Sequence, residues 1–301
     1  MPTRWLARCM LGILAGSLAS GAAVRGEAPQ ATAPSRLVLE VLRKTPLVDG
    51  HNDLPWEIRS QFAGRLDSLD LEDTRSLDPP LQTDLARLRA GRVGAQFWSV
   101  YVPVEESGAD AIRAVLEQID LVKRLAVRYP ETLELATTSA DIERIHRAGR
   151  VASLLGVEGG HCVDNSLAVL RQLYACGARY MTLAHSKNTE WVDSATDTPR
   201  HMGLAPFGEE VVREMNRIGM LVDLSHVSAE AMHDVLEVSR SPVIFSHSSA
   251  RALCDFPRNV PDDVLQRMPA NGGLVMVTFA PSFVSPEVLA YETERKGEDQ
   301  R

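Results

Sequence analysis

The sequence predicts an α/β protein, a (β/α)8 barrel of the TIM type with its eighth strand missing from this chain. Three observations carry that expectation. Short β-rich apolar runs alternate with stretches of helical spacing, the rhythm of βα units around a parallel sheet. Nearly every run ends in a residue able to bind a metal or a substrate, and barrels keep their active sites at the C-terminal mouth of the strands. A length of 301 residues, with 45% hydrophobic and 24% charged, suits one large domain. A doubly wound open sheet shares the alternation but does not demand a functional residue after almost every strand.

Residues 1–28 read as a signal peptide. Arg4 and Arg8 form a weak basic region, and an apolar stretch from Met10 runs through small residues to Ala23, with cleavage near Ala23 or after Ala28. The apolar core is short for a membrane span of ~20 residues, so an exported, periplasmic or extracellular protein is expected, with no stable membrane span after cleavage. Residues 29–45 read as a flexible lead-in and a helix over Arg36–Arg43. Residues 46–301 form the metallohydrolase barrel domain, incomplete at its C-terminus. Its strands are expected at Leu47–Gly50, Val93–Val102, Val151–Val157, Tyr180–Ala184, Met220–Leu224, Pro242–Ser246 and Gly273–Phe279. Between them lie helices at Leu81–Arg89, Ala109–Tyr129, Ser139–Ala148, Leu167–Ala175, Gly208–Ile218, Ser228–Val238 and Pro261–Arg267. Asp53–Pro80 reads as an excursion over the barrel mouth and His185–Phe207 as a long polar loop. Glu287–Arg301 is charged and polar and supplies no further strand.

The net charge of −8 and the absence of a basic stripe argue against nucleic acid as a partner. Beyond Cys9, three cysteines remain, Cys162, Cys176 and Cys254, which is not a disulfide framework.

The chemistry sits at the strand ends. His51 and Asp53 are two apart, so an extended backbone projects both to one face and onto one metal. Glu158 follows the third strand, ahead of Gly159-Gly160, and a carboxylate can bridge two cations about 3.5–4 Å apart. His226 and His247 end consecutive strands and so are neighbours around the rim. These five side chains suffice for two zinc ions. His185 ends the fourth strand and faces the same mouth. His161 is close enough to Glu158 to support it, whereas His146, His201 and His233 read as solvated.

The strings VDGHNDLPW, GAQFWSVYV, GVEGGH, RYMTLAHSKNTEW, GMLVDLSHVS, PVIFSHSSARALCD and RNVPDDVL resemble the renal (membrane) dipeptidase family of zinc peptidases over Pro46–Phe279. The resemblance implies a (β/α)8 barrel with two zinc ions per chain. His51 and Asp53 would hold one, His226 and His247 the other, and Glu158 would bridge them. Dipeptides would be hydrolysed by a metal-bridging hydroxide, including substrates with a D-residue at the second position. Glu158 and His185 would be catalytic, His185 stabilising the oxyanion. Arg258, with Asn259 beside it, would clamp the substrate carboxylate. The resemblance also allows a homodimer. The absence of an Asn-x-Ser/Thr acceptor, and Lys187 and Val104 where animal members carry a disulfide, fit a bacterial-type member. The family's aspartate after the eighth strand has no counterpart in these 301 residues. A catalytically silent, metal-binding or interaction protein derived from the family is therefore the alternative. A third reading, an amidohydrolase acting on cyclic amides or lactones, is disfavoured by His-x-Asp in place of His-x-His.

Overall fold

A computed structural model describes residues 34–299 of the chain. The expected signal peptide and the start of the lead-in lie outside the described residues. The strands are β1 (Leu47–Asn52), β2 (Val93–Tyr101), β3 (Leu133–Leu135), β4 (Val151–Glu158), β5 (Ala178–Thr182), β6 (Leu221–Asp223), β7 (Ile244–Ser248) and β8 (Leu274–Val277). The helices are α1 (Arg36–Lys44), α2 (Leu54–Phe62), α3 (Leu85–Ala90), α4 (Gly108–Arg128), α5 (Ser139–Arg147), α6 (Leu167–Ala175), α7 (Pro206–Ile218), α8 (Ala229–Val238), α9 (Asp262–Asn271), α10 (Pro281–Val284) and α11 (Pro286–Asp299).

Seven strands run parallel in the order β1-β2-β4-β5-β6-β7-β8. The path curls into a nearly closed barrel with a seam between β8 and β1. At the seam Gly50 lies so close to Ser246 and Met276 that a Cβ on it would meet the Ser246 carbonyl at 2.3 Å, so only glycine fits. The sheet does contain an eighth strand, but it is not the one the barrel count leaves missing. Short β3 pairs with the first half of β4 and lies off the path. Its three residues carry too little pattern to be read from sequence.

Burial explains why these runs are strands. β4 is buried along its whole length and β2 at seven central positions, as expected of a parallel sheet covered on its outer face by helices. The two faces separate by parity. Ala95 and Phe97 of β2, Ala152 and Leu154 of β4, Tyr180 of β5 and Ile244 of β7 fill the barrel interior. Trp98, Val100, Leu155, Val157, Met181 and Val222 point outward and pack with helix residues such as Val115, Leu170, Val211 and Val235. Residues two apart share a face. Continuing each inward series toward the C-terminal end therefore places Ser99, Glu158, Thr182, Asp223 and Ser246 in or just beneath the mouth.

Two stretches gain local structure. Asp53–Pro80 is not irregular throughout, because α2 begins directly after Asp53 with Pro55 in its first turn, a favoured start position. The polar C-terminal stretch forms α11. Among the described residues no helix is long and apolar enough to cross a membrane.

Candidate metal centre

His51, Asp53, Glu158, His185, His226, His247 and Arg258 line one cavity of about 480 Å³ at the C-terminal end of the strands. Glu158, 4% exposed, lies at its floor. Its Oε2 faces His51 Nε2 at 3.5 Å, and His51 Nε2 lies 3.1 Å from Asp53 Oδ1. Its Oε1 faces His226 Nε2 at 3.0 Å, His247 Nε2 at 3.5 Å and His185 Nε2 at 3.7 Å. His226 and His247 bring their Nε2 atoms within 3.0 Å of each other.

These separations are those of ligands sharing an ion. Two donors each about 2.0–2.1 Å from a tetrahedral zinc stand roughly 3.3 Å apart. The donor atoms fall into two groups, His51–Glu158–His247 and Glu158–His185–His226, with Glu158 in both; His247 thus groups with His51 and His226 with His185, and Asp53 joins neither, unlike the pairing the resemblance implied. Imidazole and carboxylate donors at these separations fit zinc.

Backbone and outer contacts hold the donors in place. His226 has φ 75°, a left-handed conformation costly for a non-glycine residue. Its carbonyl accepts the Ala195 N–H at 2.7 Å. The Ser194 hydroxyl donates to the His185 carbonyl at 2.6 Å, so the 185–207 loop secures the rim. Ser99 Oγ donates to Glu158 Oε2 at 3.0 Å. The His51 Nδ1–H reaches the Tyr180 hydroxyl at 3.1 Å, which donates onward to the Gly50 carbonyl at 3.2 Å. Gly156 makes room for that ring, since a Cβ there would lie 2.0 Å from Tyr180 Cζ.

The charges are mutually adjusted. Burial opposes ionisation of Glu158, but His51 and His226 outweigh it and hold its pKa well below 4.5. Burial likewise disfavours charge on His51, yet Glu158 and Asp53 raise its pKa well above 6.5. His226 and His247 are shifted well below 6.5, first by burial, with Arg258 adding repulsion at both. Neutral imidazoles are the form that binds metal.

A stability consequence follows for the metal-stripped chain. Unfolded, His226 and His247 protonate near 6.5; folded, they stay neutral to lower pH. The unfolded chain then binds more protons below 6.5, so stability falls as pH drops through that value, by up to about 1.4 kcal/mol per pH unit for each group. His51 acts in the other window: its share is fully present below 6.5 and is lost as pH rises through its raised folded pKa. We expect the urea midpoint of the stripped protein to fall between pH 6.5 and 5.5. A midpoint flat over that interval would contradict the buried neutral assignment.

Asn259 is not brought into the cavity. It is fully buried, its Oδ1 accepts the Ser249 N–H, and its amide donates to the Cys254 and Phe283 carbonyls, all at 2.8–2.9 Å. Its hydrogen-bonding capacity is spent on the loop that carries Arg258. Among the described residues His161 makes no hydrogen bond or ion pair with Glu158, and its Nε2 lies 3.8 Å from Cys162 Sγ. The three histidines read as solvated are half-buried: His201 contacts the Thr189 carbonyl, His233 lies between Asp263 and Arg267, and His146 Nε2 is buried. Cys162, Cys176 and Cys254 are all free thiols. The sequence reading missed Trp56, Tyr101 and Phe283, which also line the cavity. Tyr101 ends β2, and its ring packs at a tilt against His185 with centroids 4.7 Å apart, so the strand-end rule that found the histidines could have found it.

The model of the membrane dipeptidase family (peptidase family M19) matches residues 36–299. Over 258 residues the sequence is 49% identical to dipeptidase 3 of Rattus norvegicus, covering 84% of this chain and 51% of that protein. It is 47% identical over 252 residues to dipeptidase verJ of Clonostachys rogersoniana, covering 80% and 64%. The chain thus spans about half the length of the dipeptidase 3 relatives it matches. Among solved structures, the fold is similar to that of a metallo peptidase from Rhodobacter sphaeroides liganded with a phosphinate mimic of the dipeptide L-Ala-D-Ala. That likeness has a TM-score of 0.72 at 23% identity and covers 81% of this chain and 76% of that one. With a family match running from α1 to α11, the chain belongs to the membrane dipeptidase family.

Proposed function

We propose that this protein is a zinc-dependent dipeptidase with a binuclear centre. One observation carries the reading: Glu158 takes part in both donor clusters, its Oε2 facing His51 and its Oε1 facing His226, His247 and His185. When bound, a zinc pair supplies a hydroxide nucleophile near neutral pH and polarises the scissile carbonyl.

The chain's own groups account for the rest. His185, at the rim beside Tyr101, is placed to donate to the carbonyl oxygen as negative charge develops there. Its pKa is lowered by burial and by Arg258, so it would act as a neutral donor. Arg258 faces the cavity and would take the substrate carboxylate in a two-pronged contact. A cavity of about 480 Å³ has room for a dipeptide. The dipeptide mimic bound by the Rhodobacter protein supports the same substrate class, D-residues at the second position included. Export belongs to this reading too and rests on residues 1–28.

The test is hydrolysis of a glycine-containing dipeptide by the purified chain, before and after chelation and with zinc restored. Turnover that vanishes on chelation and returns with zinc is the expected result. Two zinc ions bound without turnover would favour the silent metal-binding protein instead. Sequencing the N-terminus of chain recovered from the exported fraction checks the localisation: cleavage is expected near Ala23 or after Ala28.

A further inference from the structure

We propose that Asp223 and Ser246 are positioning residues that fix the tautomer of His247 and aim its Nε2 at the metal position. The inference rests on the metal-centre part of the reading above and adds residues to it.

Asp223, at the end of β6, is fully buried and has no basic partner among the described residues. It is surrounded by donors instead. Oδ2 accepts from the hydroxyls of Thr182 and Ser246, both at 2.6 Å. Oδ1 accepts from the backbone N–H groups of Ser225 at 3.0 Å and Ser246 at 2.9 Å. Four donors converging on one carboxylate leave little freedom for the groups that supply them.

Proton accounting then sets the direction of the chain. A serine hydroxyl has one proton and two lone pairs. Ser246 spends its proton on Asp223, because a 2.6 Å hydroxyl–carboxylate contact is a short, charge-assisted bond. The other acceptor in reach, Ser225 Oγ, is 3.4 Å away. Toward His247 Nδ1, at 2.8 Å, Ser246 can only accept. Nδ1 therefore carries the ring proton, and the Nε2 lone pair faces the cavity, where it accepts from Arg258 Nη2 at 2.8 Å beside Glu158 Oε1 at 3.5 Å. The His247 backbone N–H is tied to Ser225 Oγ at 3.0 Å, so both ends of the residue are anchored. His51 reaches the same tautomer through Tyr180 and a backbone carbonyl, without a carboxylate. Outer partners of this kind typically set 10–100-fold in metal affinity.

The experiment uses Ser246→Ala, Asp223→Asn, Thr182→Val and the conservative Ser246→Thr in the full chain. Zinc affinity is read by competition with a chromophoric chelator. The ring-nitrogen shifts of His247 are read in metal-stripped, histidine-labelled protein. Ser246→Ala is expected to weaken one of two zinc ions by about 10–100-fold and to weaken the Nδ1–H preference of His247 to what the Arg258 donor at Nε2 alone supports. Ser246→Thr is expected to restore both, and Thr182→Val, which removes a donor from Asp223 without touching His247, to leave both near wild type. Wild-type zinc binding and unchanged His247 shifts in Ser246→Ala would overturn the proposal. So would equal losses in Thr182→Val. Asp223→Asn is expected to follow Ser246→Ala, and if it fails to fold, the serine and threonine variants decide alone. A wild type that takes up no zinc would sink the metal-centre reading, while the nitrogen shifts, which need no metal, would still accept or reject the relay.

Discussion

Replacing Glu158 with alanine is expected to remove both zinc ions and dipeptide turnover together. Every other proposed ligand serves one side of the centre; Glu158 serves both, through Oε2 toward His51 and Oε1 toward His226 and His247. It is also 4% exposed, so no solvent screens what its loss leaves behind. Two divalent cations in a buried pocket need negative charge close by, and the other carboxylate of the set, Asp53, is half-exposed and lies to one side. Turnover should fall by more than about 10³-fold, beyond the loss typical of one preorganised polar contact. Metal analysis should drop from two zinc ions to at most one weakly held ion. Glu158→Gln separates charge from shape: it keeps the bond from Ser99 but not the charge, and should lose metal nearly as completely. Retention of two ions by either variant would show that Glu158 does not bridge.

How far such residues were legible in the sequence depends on which face of the sheet carries them. His51, Glu158, His226 and His247 were readable because each ends an apolar run, and strand ends share one rim whatever the detailed pairing. Asp223, Ser246, Tyr180 and Ser99 were not, although they lie within five residues of a proposed ligand along the chain or beside one across the sheet. Their roles arise from which strands adjoin: Asp223 meets Thr182 because β5 and β6 pair in register, and Ser246 because β7 lies on the other side. Sequence spacing holds no record of that adjacency. Asn259 shows the opposite error. Beside Arg258 in RNVPDD it looks like a partner in substrate binding, yet its neighbour faces the cavity while its own amide points into the loop. Arg258 and Asn259 lie in a turn and a bend, so adjacency along the chain gives them no common face.

If the chain is the dipeptidase proposed above, Arg258→Met is expected to abolish a preference for substrates with a free C-terminal carboxylate. Arg258 is 8% exposed, and burial lowers its pKa to about 10, so it stays charged at neutral pH. Its Nη2 reaches His247 Nε2 at 2.8 Å, its guanidinium lies 5.4 Å from the centre of the Phe283 ring, and its Nε is buried with no partner. A cation enclosed in this way, one donor unspent, suits an anionic group entering the cavity. Methionine preserves much of the apolar stem and removes the charge and the fork. Losing one side of a buried, hydrogen-bonded charge pair costs about 2–5 kcal/mol, or roughly 10²-fold in kcat/KM toward the lower end of that range. The decisive comparison is a double cycle over enzyme and substrate, using a dipeptide and its C-terminal amide. Wild type should prefer the acid by about 10²-fold, and the variant should treat the two nearly alike, because the interacting pair is already broken. If Arg258→Met instead slows acid and amide by the same factor, Arg258 acts on the metal centre through His247 and not on the substrate carboxylate. Zinc analysis of the variant tests that route directly: an intact metal content with a collapsed acid-over-amide ratio places the effect at the carboxylate end of the substrate.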